Sequence, residues 1–403
     1  MTDATVGRRE RKKARTRQAI ADAALDLFLE RGFDQVTVKD VAEAADVSMS
    51  GLFKHFPTKE SLAFDEDDDV RAGIVSAVRS RPEGTPVLEA LRTWLRDHLC
   101  DRSTSPRAAV FQELVARTPA LNEYARQMWL RHEQALAEAI YEEGPDAPGA
   151  DIAARTVARF VLDRTQPWHC EDLDAAFTLL AEGWPAPELR ARADHARNDP
   201  TPTPPAHPPG LRERKKAQTR RAITQAALDL FTTRGYDEVG VREIADAAGT
   251  SIATLFTYFP DGKASLVFPG DQADRAAALI DVVRHRSPDQ NIVRALHDHM
   301  AQRGPFKPDL TPDEQRVIDL AHATPALSDY ALRAWTAAQP SLAAAITQEA
   351  GLAADDVTTR LLTHYILQIP DLARAATDPR QALDVITNLL DKGWPTSLTN
   401  DHP

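Results

Sequence analysis

The sequence has little of what secreted, disulfide-rich or membrane proteins need. Only two of its 403 residues are cysteine, Cys100 and Cys170, which fits a reducing compartment better than a disulfide framework. No uninterrupted apolar run approaches the roughly 18 residues of a membrane span. The polar, basic stretch from Met1 to Arg17 has no apolar segment suited to a secretory signal. We therefore expect a soluble, cytoplasmic protein with no membrane partner.

The residue groupings that carry enzyme chemistry are also missing. The scattered His and Asp residues form no pairing of a nucleophile with a base, and no glycine loop is suited to a phosphate. Cys100 lies near His98 and Cys170 near His169, but neither pair has the spacing of a zinc site. The sequence predicts no catalytic residue, no metal and no cofactor, and it argues against an enzyme.

Basic residues are concentrated in two places, although the net charge is -12. An acidic run from Asp65 to Asp69 is interpreted as a solvated surface. Clustering matters more than net charge for binding nucleic acid. The basic clusters are Arg8, Arg9, Arg11, Lys12, Lys13, Arg15 and Arg17, and then Arg212, Arg214, Lys215, Lys216, Arg220 and Arg221.

An internal repeat accounts for the two clusters. Arg9–Ala14 and Ala23–Phe28 return 203 positions later as Arg212–Ala217 and Ala226–Phe231. Weaker matches pair Thr118–Leu121 and Trp129 with Thr324–Leu327 and Trp335, and Gly183–Pro185 with Gly393–Pro395. We therefore interpret each half of the chain as one complete structural unit. The expected domains are a first head (1–63), a first helical domain (64–185), a Pro-rich linker (186–210), a second head (211–267) and a second helical domain (268–395).

The pattern predicts an all-α fold. In the first head, apolar residues from Ile20 to Phe28 recur every three or four positions, and Gly32 ends that helix. Thr37 and Asp40 have the spacing of a capping box for a short second helix. After a turn at 45–47, Ser48 caps a third helix, on which we expect Leu52, Phe53 and Phe56 to face inward. This is a helix-turn-helix arrangement, although any small three-helix subdomain shows similar apolar spacing.

The second copy repeats these signals with two glycine substitutions. Gly249 replaces Asp46 in the turn, which strengthens the turn prediction because glycine adopts the left-handed conformation without steric cost. Gly240 replaces the capping Thr37, and Glu243 still favours the helix start. Two copies with basic arms favour DNA binding over an unrelated three-helix subdomain.

These residues resemble the TetR/AcrR repressors. The match in the first head consists of Ala23-Leu25-Phe28, Arg31-Gly32-Phe33, Thr37-Val38, Val41-Ala42-Ala45, Val47-Ser48, Leu52-Phe53-His55-Phe56 and Lys59-Glu60-Leu62. The resemblance implies a double-stranded DNA operator and a helical domain that binds a small effector. It also implies a dimer, which two fused units would form within one chain as a pseudodimer.

The resemblance also implies which residues contact DNA. Lys39 and Arg242 begin the second helices, and His55, Tyr258, Lys59 and Lys263 occupy phosphate-contacting positions. The family's usual tyrosine on the recognition helix is Phe53 or Phe256, so we expect these two side chains in the core. The expected DNA-contacting set is Thr37, Lys39, Ser48, Met49, Ser50, Gly51, Lys54, His55 and Lys59 in the first head, and Arg242, Ser251, Ile252, Ala253, Thr254, Thr257, Tyr258 and Lys263 in the second.

The two recognition stretches differ, so we expect them to prefer different half-sites. The helical domains carry aromatic residues that either line an effector pocket or simply fill the core: Phe111, Tyr124, Trp129, Phe160 and Trp168, then Tyr330, Trp335 and Tyr365. The Pro119-Ala120-Leu121 and Trp129 pattern resembles the mycofactocin-type TetR regulators, which implies a hydrophobic, acyl-coenzyme-A-like effector. The alternative is a ligand-sensing or protein-interaction module in which one or both heads no longer bind DNA.

Overall fold

The computed structural model describes residues 8–65, 67–100, 106–144, 147–162, 170–184, 211–268, 272–287 and 290–394. Every regular element in these ranges is a helix, as the sequence predicts. None of the helices there is long and apolar enough to cross a membrane. The predicted linker and Trp168 lie outside the described residues.

The first head consists of α1 (Arg8–Arg31), α2 (Val38–Ala44) and α3 (Met49–His55), followed by a 3-10 turn (Glu60–Ala63). Gly32 follows α1 with φ 83°, a backbone conformation that ends a helix without a Cβ penalty. Ile20, Ala24 and Phe28 of α1 are completely buried. The predicted end of α1 at Gly32 and the predicted caps Thr37 and Ser48 of α2 and α3 are confirmed.

The first helical domain packs against this head. Its core includes Ile74, Leu91, Leu136 and Val157, all completely buried. Its helices are α4 (Asp67–Arg79), α5 (Val87–Leu95) with a π-helical extension (Arg96–Cys100), α6 (Pro106–Arg117), α7 (Pro119–Glu142), α8 (Ala150–Leu162) and α9 (Cys170–Glu182).

The second copy repeats the same order. Its head has α10 (Leu211–Arg234), α11 (Val241–Ala247), α12 (Ile252–Tyr258) and a 3-10 turn (Lys263–Leu266). Its helical domain has α13 (Gln272–His285), α14 (Ile292–Met300), a 3-10 turn (Gly304–Phe306), α15 (Pro312–Ala323), α16 (Pro325–Thr336), α17 (Gln339–Ala350), α18 (Val357–Arg374) and α19 (Pro379–Lys392).

One long helix of the first copy is divided in the second. The 24-residue α7 corresponds to α16 and α17, which are separated at Ala337 and Ala338. Pro340 lies in the first turn of α17. A proline there is compatible with a helix start, but it cannot continue a preceding helix because it has no N–H and its ring clashes with the previous turn.

The described residues divide into two compact units, with the division after Phe177. Within each unit, the repeated Thr-Pro-Ala-Leu motif joins the head to its helical domain. Leu121 of α7 is fully buried in the core of the first head, and Leu327 of α16 is fully buried in the core of the second. The motif therefore inserts a leucine of the helical domain into the head, a contact that sequence reasoning did not identify.

The acidic run after the first head is not entirely a solvated surface, contrary to the sequence interpretation. The side chain of Asp67 is 12% exposed, and its Oδ1 lies 2.7 Å from Nε2 of His132. His132 is 1% exposed. The pattern of five acidic residues could not show that one of them pairs with a histidine 65 positions away.

Candidate nucleic-acid interface

The turn between α2 and α3 has the geometry that a helix-turn-helix requires. Asp46 has φ 53°, and Gly249 in the second head has φ 64°. Val47 N donates to Ala42 O over 3.0 Å, and Thr250 N donates to Ala245 O over 2.9 Å. The same left-handed turn therefore forms in both heads, with an aspartate in one and a glycine in the other, and both residue types tolerate this conformation.

The recognition helices α3 and α12 begin with equivalent serine caps. Ser48 Oγ accepts from Gly51 N, and Ser251 Oγ accepts from Thr254 N, each over 3.1 Å. Ser48 Oγ also lies 3.2 Å from Ser50 Oγ. Part of the polar surface predicted to face DNA is therefore engaged in holding the first turn of each helix.

The helices before the turn are capped differently. Thr37 Oγ1 accepts from Asp40 N over 3.2 Å, and Asp40 Oδ2 accepts from Thr37 N over 2.7 Å, which completes the predicted capping box. Hydrogen bonds from Thr37 lower the pKa of the Asp40 carboxyl group. The second head keeps half of this arrangement, because Gly240 N donates to Glu243 Oε2 over 2.9 Å.

The apolar residues of the recognition helix are not all in the core. Leu52 and Phe56 are completely buried, but Phe53 is 47% exposed, and Phe256 in the second head is 44% exposed. The expectation that these two phenylalanines are core residues is wrong. Leu52 and Phe56 are four positions apart on the inner face, and Phe53 is turned about 100° away from Leu52.

Most of the predicted contact residues are exposed or partly exposed around this face. Lys54, Ala253 and Thr257 are exposed, and Gly51 and Thr254 are partly covered. Lys39 forms an exposed 3.6 Å ion pair with Glu43, which contributes at most about 1 kcal/mol and is easily exchanged for a phosphate. Arg242 is exposed at the equivalent position of α11.

His55 and Tyr258 lie at the ends of the recognition helices. Arg17 of α1 donates through Nη1 to His55 O over 2.7 Å and through Nη2 to Asp65 O over 2.8 Å. Its guanidinium lies 4.4 Å from the centre of the Phe56 ring. Burial lowers the pKa of His55, and the charges of Arg17 and Lys13 lower it further. The lowered pKa favours the neutral form of this imidazole, which lies at the end of α3 beside the guanidinium of Arg17.

Lys59 and Lys263 are held by the protein. Lys59 Nζ donates to Phe33 O over 2.6 Å and lies 4.1 Å from the centre of the Phe33 ring. Lys263 Nζ donates to Tyr236 O and lies 4.2 Å from the centre of that ring. Burial lowers the pKa of Lys263. Each ammonium thus ties the end of the head to the loop after its first helix, and an ammonium has three donors, so this leaves capacity for a phosphate.

The basic arms extend along α1 and α10. Lys12, Lys13 and Arg15 are exposed in the first arm, as are Lys215 and Lys216 in the second. Farther along α10, Arg220 lies 4.9 Å from the centre of the Phe259 ring, as Arg17 does over Phe56. Cations on the arm and on the recognition helix of one head present the positive surface expected of a phosphate contact.

The aromatic residues predicted for an effector pocket are divided among several places. Tyr124 stacks on Phe64 at 5.3 Å between ring centres, and Phe111 meets Phe64 edge-on at 5.6 Å. Tyr330 stacks on Phe268 at 5.9 Å in the second unit. Phe64 and Phe268 both pack against the head cores. These three predicted residues therefore lie at the junction of head and helical domain.

The remaining predicted pocket residues lie deeper in the helical domains. Trp129 meets the buried His132 at 5.0 Å, and Phe160 and Tyr365 are completely buried. Beside them lies a polar pair in each copy. Arg159 Nη1 lies 3.1 Å from Glu133 Oε2, and at the equivalent positions His364 Nδ1 lies 3.3 Å from Gln339 Oε1. The interior of each helical domain thus combines aromatic rings with polar side chains.

Comparison with known proteins agrees with this geometry. The family described as "Bacterial regulatory proteins, tetR family" matches residues 20–65 and 223–268. The HTH-type transcriptional repressor KstR2 of Rhodococcus jostii (strain RHA1) is 31% identical over 165 residues, which cover 38% of this chain and 76% of KstR2.

Two further relatives are regulators by name, and none of the three relatives named here is described as an enzyme. The HTH-type transcriptional regulator TcmR of Streptomyces glaucescens is 34% identical over 129 residues, or 30% of this chain, but the match spans only 57% of TcmR. MftR of Mycobacterium tuberculosis, named for regulating mycofactocin biosynthesis, is 25% identical over 149 residues, 37% of this chain and 75% of MftR. The chain therefore belongs to the tetR family of bacterial regulatory proteins, as a DNA-binding transcriptional regulator with two TetR-like units in tandem.

Proposed function

We propose that this protein is a transcriptional repressor that binds an imperfect palindrome as a single-chain pseudodimer and is released by a small hydrophobic effector. It acts on DNA in the cytoplasm. The heads are residues 1–63 and 211–267, the helical domains are 64–185 and 268–395, and 186–210 is the linker between them. About 25 linker residues at roughly 3.1 Å each would reach on the order of 75 Å, which is ample for both heads to meet one operator.

The observation that carries this proposal is the presence of two complete heads that have the same backbone conformation but different side chains on their recognition helices. Both have a left-handed turn residue and a serine-capped recognition helix of seven residues. At equivalent positions the first helix offers Met49 and Lys54 where the second offers Ile252 and Thr257. Two heads of this kind would recognise half-sites about one helical turn, roughly 34 Å, apart, with different base preferences.

Support for the pseudodimer comes from the second compact unit, which begins at Thr178 and so contains the end of α9. Trp184 N donates to Leu390 O over 2.8 Å, and Trp394 N donates to Leu180 O over 2.7 Å. The donors and the acceptors are both repeat-related pairs. Reciprocal contacts of this kind are the property of an isologous twofold interface.

The DNA-contacting residues divide into two sets in this proposal. His55, Tyr258, Lys59 and Lys263 contact phosphates, whereas Lys39 and Arg242, at the start of α2 and α11, approach bases beside Thr37 of the first head. The base edges face the recognition helices through Ser48, Met49, Ser50, Gly51 and Lys54 in one head and Ser251, Ile252, Ala253, Thr254 and Thr257 in the other. Phosphate contacts set overall affinity, and base contacts set sequence preference.

The effector in this proposal binds within the helical domains, among the buried aromatic residues and the polar pair. Phe160 and Tyr365 supply apolar surface, and Trp129 and Trp335 lie on α7 and α16, which also carry Leu121 and Leu327 into the heads. A ligand that displaces these helices would move the heads. An acyl-coenzyme-A-like molecule is one candidate, since its acyl chain suits an aromatic interior.

The test uses the full chain and a duplex carrying the region upstream of its own gene. We expect a footprint over two half-sites, a mass of one chain by light scattering, and binding that weakens steeply with salt, since counterions are released from neutralised phosphates. Lys59→Ala should weaken binding to all sequences alike and reduce the salt slope by about one. Arg284→Ala, an exposed cation on α13, is the matched control and should change neither.

Two results would contradict the proposal. A stable two-chain particle, or a footprint over only one half-site, would exclude the single-chain pseudodimer. A chain that shifts no duplex even at low salt would instead be a sensing or interaction module whose heads no longer bind DNA.

A further inference from the structure

Exposed apolar side chains are concentrated on the two recognition helices. Of six exposed large hydrophobic residues in the described part of the chain, three lie there: Met49 at 40%, Phe53 at 47% and Phe256 at 44%. These helices contain only seven residues each. Large apolar side chains left in water at equivalent positions of both copies indicate a binding surface better than isolated surface residues do.

The helical register places these side chains on one face. Met49 lies one turn before Phe53, so the two project side by side, while Leu52 and Phe56 hold the helix against the core. In the second head Ile252 lies one turn before Phe256, but Ile252 packs partly against the core. The first head therefore presents a wider apolar face than the second.

The surroundings of this face match DNA better than an apolar protein partner. Lys54 is exposed next to Phe53, and the exposed cations Lys12, Lys13 and Arg15 extend along α1 of the same head. An apolar partner would have to desolvate these charges without compensation, whereas DNA offers a phosphate to each of them.

We infer that Phe53 and Phe256 read thymine by packing against its 5-methyl group in the major groove. This inference rests on the proposed function. A phenylalanine can neither donate nor accept a hydrogen bond, and the thymine methyl is the one apolar group that the major-groove edges of the four bases present. Because Met49 widens the face in the first head, the half-site read by Phe53 has the stronger thymine preference.

The experiment removes one methyl at a time. Duplexes are selected from a random pool with the full chain, and each thymidine of the selected site is then replaced singly by deoxyuridine, which lacks only the methyl group. Loss of a buried methyl should weaken binding about fourfold. We expect this at one or two positions in each half-site, and a larger effect in the half-site of the first head.

Variants of the protein identify which phenylalanine contacts the thymine methyl group in each half-site. With Phe53→Ala, the deoxyuridine penalty in the first half-site should disappear while the penalty in the second half-site persists, and Phe256→Ala should do the reverse. Phe53→Leu retains an apolar side chain and should keep part of the penalty. This variant therefore distinguishes loss of the contact with thymine from loss of the folded head. Tyr141→Ala removes an aromatic residue that is 50% exposed on α7 and should leave every penalty unchanged.

A penalty that survives in both alanine variants, or no penalty in the unsubstituted protein, overturns the inference even when DNA binding itself is intact. If the full chain selects no duplex at all, the proposed function fails and this inference fails with it. The two failures are therefore distinguishable.

Discussion

The two heads form the same backbone from different side chains. In the first, a threonine caps α2 and an aspartate makes the left-handed turn; in the second, glycine occupies both places. Both recognition helices nevertheless keep a serine cap, two buried core residues and an exposed phenylalanine. The comparison shows that several residue types can support the same head backbone, while an exposed position of the recognition helix changes from Lys54 to Thr257.

The helical domains differ in their interiors as well. Three buried positions that carry Ala154, Ala158 and Phe177 in the first copy carry Thr359, Thr363 and Thr387 in the second, and all are at most 4% exposed. The polar pair also changes, from the ions Arg159 and Glu133 to His364 and Gln339. The interiors of the two helical domains therefore differ in polarity although their helices follow the same order.

The largest loss of stability is expected from substitution of the glycine before each repeated tryptophan, a feature that both copies share. Gly183 and Gly393 have φ 76° and 79°. A Cβ at Gly183 would lie 2.6 Å from Asp391 O, and one at Gly393 would lie 2.7 Å from Glu182 N. We expect Gly183→Ala or Gly393→Ala to lower the free energy of unfolding by about 3 kcal/mol, measured by urea denaturation.

The control for that prediction is Gly84→Ala. Gly84 has a similar φ of 80°, but nothing lies within 4 Å of its added Cβ, so the substitution should cost only about 1 kcal/mol of backbone strain. Equal losses in all three variants would show that the contacts at Gly183 and Gly393 contribute nothing.

A smaller loss of stability is expected when the polar pair inside the first helical domain is changed towards that of the second. Glu133→Gln removes the carboxylate from Arg159, whose side chain is only 24% exposed, and should cost about 2 kcal/mol of unfolding free energy because this partly buried ion pair is lost. Adding Arg159→His recreates the pair of the second copy and should recover part of that loss. If the double variant is as unstable as the sum of its two single variants, the pairs are not interchangeable.

Substitutions at the N-caps of α2 and α11 should change the stability of the two heads by about 1 kcal/mol or less, in opposite directions. Thr37→Ala removes a side-chain acceptor and should destabilise the first head by about 1 kcal/mol. Gly240→Thr should stabilise the second by about 0.5 kcal/mol, since the nearest atom to a Cβ there is Glu243 Oε2 at 3.6 Å. Hydrogen exchange of the amides in α2 and α11 would measure both, and an unchanged α11 would show that Glu243 alone suffices as a cap.

The smallest expected effect depends on pH and is confined to the first copy, where His132 occupies the position of Ala338. Burial lowers the pKa of His132, and the charge of Arg71 lowers it further, while the hydrogen bond and charge of Asp67 act against this. Because the unfolded chain then binds a proton more readily, stability is complete above about pH 6.5 and declines as the pH falls below it.

The measurement for His132 compares two pH profiles. His132→Gln removes this contribution, so between pH 7 and pH 5 the unsubstituted protein should lose more stability than the variant, by less than about 1.4 kcal/mol for each pH unit. His55, His299 and His322, whose pKa values are also lowered, contribute equally to both profiles. Parallel profiles would show that Asp67 fully offsets the burial of His132.

Local patterns predicted the heads because their helices begin and end on local signals. Capping by Thr37 and Ser48, the left-handed Asp46 and the spacing from Ile20 to Phe28 all act within a few residues. The error at Phe53 came from treating an apolar residue as a core residue. On this helix of two turns the buried face is formed by Leu52 and Phe56, and Phe53 is turned about 100° away from Leu52.

By itself, the sequence determined the tandem repeat, the helical class, the turn geometry and the family, since each depends on short-range chemistry or on self-similarity. Only the tertiary structure decided which distant residues meet. Leu121 enters the core of its head, Asp67 pairs with His132, and Trp184 donates to Leu390. The physical reason is that burial and pairing depend on the packing of whole helices against one another, which periodicity along a single helix does not specify.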